Sequence, residues 1–403
     1  MDFSQELITT LHDISLNRDE LKKSLMENII ERPVSLVLPM LYKEIEKPAL
    51  SNIVDCLNKA KYIKKVVIAL YAKNFEKYQN VVQYFKRLNL PKIIVWCNGP
   101  NVWEILLDLK DKGMDITSFT GKGRDVWIAL GIASLDSYAI ILHDADIVNY
   151  QPDIPMKLLF PILEPKLDFF FSKGFYARID TLNDRVMYGR VFRLFLRPLI
   201  EAFAEVVSIH RYQLSLIRYF RSFRYALSGE MAMTSNLALN VRIQGDWGLE
   251  IGLLSEVLRN VAIKRICQVD LGIYQHKHHE SNILEKMSGD ILNTLLRVST
   301  EEHGLQISKT MLRSLLVIYR RIAQDKIKQY YADAMFNALK YDRNLEDSMV
   351  DNFAEVIRKA GEKYLYDPYR RQIPDWLRAL SVMPKLRERL KDATLLDLEK
   401  VKM

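Results

Sequence analysis

The sequence has few cysteines and no long apolar run, and these two absences exclude several classes of protein. Only three cysteines occur among 403 residues, none in a C-x-x-C pair, so neither a disulfide framework nor a cysteine zinc site is expected. No run of about 18 apolar residues is present, which argues against a transmembrane helix and a membrane partner. The N-terminus is polar and acidic, unlike a secretory signal. These absences predict a cytoplasmic protein.

Composition and charge are those of an ordinary globular protein. Hydrophobic residues make up 49% of the chain and charged residues 27%, with a formal net charge of +8. This is enough apolar material for one large domain with an extension, or for two domains. The positive balance mildly favours an anionic ligand, although a solvated basic surface explains it equally well. No stripe of clustered basic and aromatic residues occurs, which argues against a nucleic-acid partner.

Short apolar runs alternate with helical patterns in the first part of the chain. The predicted strands are 34–38, 65–70, 92–96 and 138–143, and the predicted helices are 49–60, one beginning at Asn74, 101–112 and 122–134. Because these strands are apolar throughout and do not alternate, we expect an α/β fold with a mostly parallel sheet covered on both faces. Ligands of such sheets bind at the carboxyl ends of the strands.

The remaining patterns suggest three parts. Residues 4–30 have helical spacing. After residue 150 the pattern is looser, with strands predicted at 167–172 and 264–271, helices at 189–220 (interrupted at Pro198) and 249–260, helical spacing from 284 onward, and an irregular stretch at 362–377. We therefore expect an N-terminal helical segment over 1–32, a sheet domain over 33–283 and a helical C-terminal extension over 284–403.

Asp144 and Asp146 follow the fourth predicted strand, in the stretch His143-Asp-Ala-Asp-Ile147. In the turn after a strand, two such carboxylates can point to one position. Magnesium and manganese prefer hard oxygen ligands, often one or two carboxylates together with phosphate oxygens. Without a positive partner the two aspartates would repel each other. Taken alone, however, a D-x-D pattern is more typical of a polar loop.

Three other stretches contain candidate binding groups. Lys122 lies between two glycines before a helix, where a backbone can approach an anion, although a plain turn has the same pattern. Glu250 falls in the first turn of its helix, where the helix dipole favours an anion for structural reasons alone. His276 and His278 share one side of an extended segment, and imidazole is a common ligand of divalent metals.

Eight stretches, taken together and in order, resemble one family. They are LPMLYKE (38–44), GKG (121–123), HDADI (143–147), KGFYARI (173–179), GRVFR (189–193), LSGEMAM (227–233), DWGLEIGLLSEV (246–257) and CQVDLGIYQHKH (267–278). The set resembles the glucosyl-3-phosphoglycerate synthases, which are retaining glycosyltransferases with the Rossmann-like GT-A fold. The combination of SGE, WGLEIGLL and QVDLG with HKH is the specific part of this resemblance.

The resemblance implies a metal-dependent reaction on a nucleotide-activated sugar. Asp146 would bind the divalent cation, Mg²⁺ or Mn²⁺, and His276 would complete the metal site. Asp144 would contact the ribose or the sugar of the donor. The other donor-binding residues implied by the matched stretches are Pro39, Leu41, Glu44, Lys122, Leu227, Gly229 and Glu230.

The resemblance also implies an acceptor pocket. Gly189 and Arg190 match residues of the 3-phosphoglycerate pocket, and Glu250 would position the sugar without forming a covalent link. Two positions depart from the family pattern, because Phe192 replaces a common threonine and Tyr274 replaces an arginine of some members. Arg193 or Lys277 would then compensate, so Tyr274 and Arg193 are included in the predicted substrate site. The predicted catalytic residues are Asp144, Asp146, Glu250 and Lys122.

The predicted reaction is transfer of glucose, with UDP-glucose as the expected donor, to the 2-hydroxyl of D-3-phosphoglycerate. Two alternatives remain open from the sequence: a mannosylglycerate-type synthase that uses GDP-mannose or unphosphorylated glycerate, and a sugar nucleotidyltransferase. The helical extension contains no chemical motif, and either packs on the catalytic domain or builds a dimer interface. We expect a homodimer.

Overall fold

The computed structural model describes residues 4–180, 185–209, 215–275, 281–368 and 371–402, with a nine-stranded β-sheet at the centre. The strands of this sheet are β1 (Thr9–Leu11), β2 (Val34–Leu41), β3 (Lys65–Tyr71), β4 (Lys92–Trp96), β5 (Ala139–Leu142), β6 (Phe171–Asp180), β7 (Val186–Met187), β8 (Met231–Thr234) and β10 (Ile266–Tyr274). The short strand β9 (Ile243–Gln244) lies outside this sheet. Their order is β1-β10-β6-β8-β5-β2-β3-β4, with β7 beside β6. A last strand, β11 (Gln372–Ile373), pairs with β9.

The direction of β8 shapes the edge of the sheet where ligands are expected. The pairs β2–β3, β2–β5, β3–β4, β1–β10 and β6–β10 are parallel. In contrast, β8 is antiparallel to both of its neighbours, β5 and β6. The start of β8 therefore lies at the same edge as the carboxyl ends of β2, β5, β6 and β10. The expected α/β fold with a mostly parallel sheet is confirmed.

Helices connect the strands and cover the sheet. They are α1 (Arg18–Asn28), α2 (Pro48–Leu57), α3 (Phe75–Tyr84), α4 (Pro100–Asp111), α5 (Lys122–Ala133), α6 (Asp153–Leu163), α7 (Arg197–Ile209), α8 (Ser215–Ser222), α9 (Ser235–Asn240), α10 (Leu249–Asn260), α11 (Ser281–His303), α12 (Lys309–Phe336), α13 (Arg343–Tyr366), α14 (Trp376–Val382) and α15 (Leu386–Lys402). A π-helix over Val191–Leu196 leads into α7. Over the described ranges, no helix has the length and apolar character needed to span a bilayer.

Apolar side chains form one layer on each face of the sheet. Leu36 belongs to the layer that contains apolar residues of α1, α2, α3 and α6, whereas its neighbour Val37 belongs to the layer that contains those of α4, α5, α7 and α10. This alternation follows from the pleat of a strand. The layer that contains Val37 also contains apolar residues of α11 to α15. In this layer, Trp127 of α5 stacks on Trp376 of α14 at a distance of 4.0 Å between ring centroids. The C-terminal helices are therefore built into the core.

The N-terminal region differs from the single helix predicted over 4–30. Its first part forms β1, with Thr9 opposite Cys267 of β10, and the helix begins only at Arg18. The Asn17 side chain accepts a hydrogen bond from the Glu20 N–H and so caps the start of that helix. The helical prediction failed here because a three-residue strand acquires its hydrogen bonds from a distant partner.

Other predicted elements are shifted or were missed. The strand predicted at 167–172 begins at Phe171 and extends to Asp180. β8 was not predicted because a Met-Ala-Met-Thr segment has weak strand preference and only four residues. Pro198 is the second residue of α7 and follows the π-helix, so the helical run continues through it. The stretch 362–377, predicted to be irregular, contains the end of α13 and the strand β11.

Candidate active site

Two helices bring charged side chains to the carboxyl edge of the sheet. Lys122 is the first residue of α5, which leads into β5, and Glu250 lies in the first turn of α10, which leads into β10. A helix that precedes a parallel strand runs back along the sheet, so its N-terminus lies near the carboxyl ends of the strands. Asp144 reaches the same place from the segment that follows β5.

Lys122 joins the two carboxylates. Its Nζ lies 2.6 Å from Asp144 Oδ1 and 3.3 Å from Glu250 Oε1. Burial opposes a charge on Lys122, but the two carboxylates outweigh burial and raise the pKa of this amine above its usual value. Lys122 is therefore a cation that neutralises part of the charge of Asp144 and Glu250. The structure brings these three predicted residues together.

The segment before β8 packs against Asp144. A Cβ atom at Gly229 would lie 2.8 Å from the Asp144 Cγ atom, too close for any side chain. Ser228 donates a hydrogen bond from Oγ to the Gly174 carbonyl of β6 (2.6 Å), and Lys173 Nζ donates to the Ser228 carbonyl (2.5 Å). These contacts hold Gly229 at the edge of the site.

Lys173 is a buried amine that the sequence reasoning did not assign. Burial lowers its pKa to about 8, although Glu250 and Glu230 act in the opposite direction. A lysine within a strand of the resembling stretch KGFYARI was the signal available in the sequence. Its contact with Ser228 gives Lys173 a role in holding the segment that adjoins Asp144.

Glu230 and Tyr274 lie behind the cavity wall. Both side chains are almost completely buried, and the Tyr274 ring stacks on Tyr176 at 3.9 Å with an interplanar angle of 8°. Burial and the neighbouring Glu230 carboxylate raise the pKa of Tyr274 well above its usual value. Neither residue is in the lining of the cavity. Their predicted contacts with donor and acceptor stay predictions.

Seven predicted site residues line one cavity of about 150 Å³: Lys122, Asp144, Gly189, Arg190, Leu227, Gly229 and Glu250. Phe192, the position that departs from the acceptor-pocket pattern, also lines the cavity, and residues that were not predicted complete much of the described wall, among them Tyr176, Arg178, Tyr188, Tyr225, Trp247 and Met287. They come from β6, the segment after β7, the π-helix, the segment before β8, the segment before α10, and α11. Only the tertiary structure brings these elements to one place.

Arg193 points away from the cavity. Both terminal nitrogens of its guanidinium bind the Glu346 carboxylate of α13, with Nη1 at 2.5 Å from Oε2. Its remaining hydrogen bonds go to the carbonyls of Met187 and Tyr188. The structure therefore does not place Arg193 with Gly189 and Arg190 in the cavity lining, because a carboxylate from the C-terminal helices already binds it.

The residues predicted to hold the nucleotide base continue from β2. Val37 is opposite Leu142 of β5, so Pro39 and Leu41 extend toward the same edge as Asp144. Glu44 follows in a 3-10 turn, where it forms an ion pair with Lys47 at 2.6 Å. None of the three predicted residues is in the cavity lining, and their role in binding the base stays a prediction.

The predicted metal site is only partly described. Asp146 lies in the segment after β5, and His276 is outside the described residues. Among the residues that are described, no group of three His, Cys, Asp or Glu side chains is arranged to hold a metal ion. Carboxylates at the carboxyl edge nevertheless have the hard oxygen donors that Mg²⁺ and Mn²⁺ prefer. The donor chemistry of the aspartates fits such a cation.

His143, beside the two aspartates, has a structural role. Its ring is fully buried, and Nδ1 lies 3.0 Å from the Tyr150 hydroxyl. Burial lowers the pKa of His143 to about 3, despite the opposing charge of Asp144, so the ring is neutral. It helps to anchor the segment that carries Asp144 and Asp146.

Solved structures of glycosyltransferases share this fold. The crystal structure of glucosyl-3-phosphoglycerate synthase from Mycobacterium tuberculosis in complex with Mn²⁺, uridine-diphosphate-glucose and phosphoglyceric acid matches with a TM-score of 0.54 at 21% identity, covering 73% of this chain and 88% of that chain. At this identity the likeness shows the fold alone, which is that of an α/β glycosyltransferase. No family model matches the chain.

Sequence relatives define the family more closely. Glucosyl-3-phosphoglycerate synthase of Methanococcoides burtonii is 52% identical over 404 residues, which cover 99% of this chain and 98% of that relative. The synthase of Persephonella marina is 37% identical over 398 residues, covering 96% of each. The chain belongs to the glucosyl-3-phosphoglycerate synthase family, and it is therefore a glycosyltransferase.

Proposed function

We propose that this enzyme transfers glucose from UDP-glucose to D-3-phosphoglycerate and forms glucosyl-3-phosphoglycerate. The observation that carries the proposal is the Lys122 ammonium held between Asp144 and Glu250 at the carboxyl edge of the sheet, in a chain 52% identical to a glucosyl-3-phosphoglycerate synthase. The related crystal structure with UDP-glucose and phosphoglyceric acid supports the same pair of substrates.

In the proposed reaction, Glu250 accepts hydrogen bonds from glucose hydroxyls and positions the sugar. Retaining glycosidases commonly use a carboxylate as nucleophile, but Asp144 and Glu250 both bind Lys122, which supports a positioning role. We propose that the 2-hydroxyl of the acceptor attacks from the side on which the diphosphate leaves. The bond between the anomeric carbon and the donor phosphate breaks as the new glycosidic bond forms, and the leaving phosphate takes the hydroxyl proton, so configuration is retained.

A divalent cation, Mg²⁺ or Mn²⁺, is part of the proposal, with Asp146 and His276 as its ligands. The Val148 N–H donates to the Gln275 carbonyl (2.9 Å), and the Gln275 N–H donates to Asn149 Oδ1 (2.8 Å). These bonds connect the segment after Asp146 to the residue before His276, which supports the pairing. When bound, the cation would neutralise charge on the diphosphate of the donor.

Replacement of the proposed metal ligand tests this part directly. We expect Asp146→Ala to abolish turnover and to leave the fold largely intact, because Asp146 is only partly buried in the segment after β5. The measurements are activity across a Mg²⁺ and Mn²⁺ titration and thermal unfolding without metal. Metal-dependent turnover close to that of the wild type would show that Asp146 is not a ligand of the cation.

A screen of donors and acceptors tests the overall reaction. The enzyme is incubated with labelled UDP-glucose, GDP-glucose or GDP-mannose, each with 3-phosphoglycerate or glycerate and Mg²⁺. We expect a phosphorylated glucoside from UDP-glucose and 3-phosphoglycerate, with retained anomeric configuration in its NMR spectrum. Preference for GDP-mannose or glycerate would favour a mannosylglycerate-type synthase, and release of pyrophosphate would favour a nucleotidyltransferase. Absence of a labelled phosphorylated glycoside from every pair would contradict the proposal.

We propose in addition that the enzyme is a cytoplasmic homodimer. In the chain order expected from the sequence, a glycosyltransferase domain at 33–283 lies between an N-terminal segment at 1–32 and the C-terminal helices at 284–403. Exposed apolar side chains on those helices, such as Val317 and Phe336, support an interface between subunits. Light scattering at several protein concentrations tests it, since a monomer has a mass of 47.1 kDa.

A further inference from the structure

The cavity wall next to Gly189 carries more positive than negative charge. Arg178 and Arg190 both line the cavity, and Arg193 lies behind it. The Glu346 carboxylate binds Arg193 through both oxygens and forms a longer ion pair with Arg190 Nε at 3.7 Å. Among the described residues, these three guanidinium groups are therefore accompanied by two carboxylates, Glu346 beside Arg190 and Arg193 and Glu230 near Arg178. The opposite balance holds at Lys122, which neutralises two carboxylates.

Arg178 is the member of this group that the sequence reasoning did not select. It lies near the end of β6, and its Nη1 donates a long hydrogen bond of 3.5 Å to a neutral hydroxyl, Oη of Tyr225. A long contact with a hydroxyl occupies little of the capacity of a guanidinium, which has five N–H donors. Arginine remains charged at any physiological pH. Arg178 is therefore able to bind an anion with most of its donors.

Aromatic rings hold Arg178 and Tyr225 in place. The Tyr225 ring packs against Phe192 at 4.6 Å and against Tyr176 at 4.8 Å, and Tyr176 stacks on Tyr274. These rings restrict Tyr225 so that its hydroxyl faces Arg178. Because the ring contacts restrict the side chains before any ligand binds, little conformational entropy is lost when an anion binds.

Some family members have an arginine at the position of Tyr274. The pairing of β6 with β10 explains why Arg178 can supply that positive charge here. Tyr274 of β10 is directly opposite Arg178 of β6, and residues opposite each other on neighbouring strands have side chains on the same face of a sheet. Tyr274 is buried in its stack with Tyr176, whereas Arg178 lines the cavity. The positive charge on this face is therefore supplied from β6.

Gly189 connects Arg178, Tyr225 and Arg190. It has a φ of +74°, and a Cβ atom there would lie 3.5 Å from the Tyr225 hydroxyl and 3.6 Å from Arg178 Cβ. Its immediate neighbour is Arg190. The backbone of Gly189 thus brings two guanidinium groups and one phenol hydroxyl to the same part of the cavity wall.

We propose that Arg178, oriented by Tyr225, binds the phosphate group of the acceptor together with Arg190 and makes the enzyme prefer a phosphorylated acceptor. The inference depends on the proposed function, because it assigns a residue to the acceptor of that reaction. A phosphate dianion matches the charge of two guanidinium groups and the planar fork of each. The phenol hydroxyl of Tyr225 supplies a donor that Phe192 lacks.

The test compares Arg178→Gln with a matched surface variant, Arg224→Gln. Arg224 is exposed beside Tyr225, is not in the described cavity lining, and loses the same charge. Steady-state kinetics give kcat and KM for 3-phosphoglycerate, glycerate and UDP-glucose. We expect Arg178→Gln to raise KM for 3-phosphoglycerate at least about tenfold, since a charge-assisted hydrogen bond to phosphate is lost. In Arg178→Gln, KM for UDP-glucose stays near the wild-type value. In Arg224→Gln, all kinetic constants stay near the wild-type values.

Two further variants keep the test decisive if Arg178→Gln is poorly folded. Tyr225→Phe retains the ring and removes only the hydroxyl, so we expect a smaller rise in KM for 3-phosphoglycerate. Arg178→Lys retains the charge, and its KM for 3-phosphoglycerate is expected to lie between those of the wild type and Arg178→Gln. In each variant, the preference for 3-phosphoglycerate over glycerate falls in proportion to the rise in KM.

The possible failures are distinguishable. An unchanged KM for 3-phosphoglycerate in Arg178→Gln and Tyr225→Phe would overturn the role of Arg178 and leave the proposed function intact. A parallel rise in both substrate KM values in all variants would show a structural effect and would also overturn it. A wild-type enzyme that does not use 3-phosphoglycerate would contradict the proposed function and the inference together.

Discussion

Gly229 shows how a missing side chain shapes the site. Its backbone approaches Asp144 so closely that a Cβ atom would lie 2.8 Å from the carboxylate carbon. Asp144 is held in turn by Lys122 at 2.6 Å. A side chain at position 229 would therefore displace both members of this ion pair.

Gly229→Ala is expected to lower kcat/KM by about tenfold to 100-fold, because small displacements of positioning groups have effects of that size. Circular dichroism should show a folded protein. The control is Gly289→Ala in α11, where a Cβ atom would meet Val356 and Ala360 at ordinary distances of 3.8 and 4.0 Å. Wild-type kinetics in Gly229→Ala would show that Asp144 can move without loss of function.

Lys173 has an energetic cost that depends on pH. Its pKa is lowered from 10.5 to about 8 by burial. The unfolded chain therefore binds more protons than the folded chain between these values, and the free energy of unfolding rises with pH across that window. Below about pH 8 both states are protonated, and the cost of the buried charge is present in full.

Lys173→Met should remove this pH dependence, because methionine does not titrate. We expect the wild type to gain stability relative to the variant between about pH 7.5 and about pH 9.5, as measured by urea unfolding. The control is Lys23→Met, at an exposed position of α1. Its free energy of unfolding should change with pH in the same way as that of the wild type. If the difference in the free energy of unfolding between wild type and Lys173→Met were the same at every pH, the pKa of Lys173 would not be lowered in the folded protein.

Contacts between elements support the part of the cavity that we propose to bind the acceptor. The π-helix that follows Gly189 and Arg190 is anchored to α13 by the ion pair between Arg193 and Glu346, both nearly fully buried. Removing one member of a buried pair leaves the other without compensation. The C-terminal helices therefore support the cavity wall that carries Arg190, and they line the cavity with the apolar side chains of Leu284, Met287 and Ile291.

Glu346→Gln is expected to lower the free energy of unfolding by about 3 kcal/mol, as for other buried pairs that lose one partner. KM for 3-phosphoglycerate should rise at the same time, because the π-helix adjoins Arg190. Glu355→Gln on the same helix is the control, since its ion pair with Arg358 is exposed and such pairs contribute little. Equal stability of both variants in denaturant titrations would contradict the role of this anchor.

The C-terminal helices also complete the core of the entire chain. Gly131 of α5 leaves space for the Trp376 ring, which stacks on Trp127. The indole N–H of Trp127 donates to the Pro374 carbonyl at 2.8 Å, and that of Trp376 donates to the Trp127 carbonyl at 3.0 Å. Because α5 begins at Lys122, these contacts support the helix that carries the central cation.

A chain that ends at residue 283 is therefore not expected to fold. It would expose the apolar face that α11 to α15 cover, and exposed apolar area of that extent is costly in water. Expression of residues 1–283 beside the full chain, followed by circular dichroism and light scattering, measures this. A soluble, cooperative unfolding transition in the truncated chain would show that the C-terminal helices are dispensable for the fold.

Local patterns in the sequence were sufficient for many elements and for the family. The strand predicted at 92–96 and the helix predicted at 249–260 have the observed bounds, because apolar periodicity reflects which residues face a core. The order of the motifs also indicated the glycosyltransferase family. Lys122, Asp144 and Glu250 were selected from those motifs before their contacts were known.

The sequence by itself determined the α/β class, the family and the residue types at the carboxyl edge, since these depend on local periodicity and on the order of motifs. Only the tertiary structure decided that β8 runs against its neighbours, that Arg193 binds Glu346, and that Arg178 and Lys173 lie at the site. These features depend on contacts between residues far apart in the chain. No local pattern encodes which distant carboxylate, carbonyl or strand a side chain will meet.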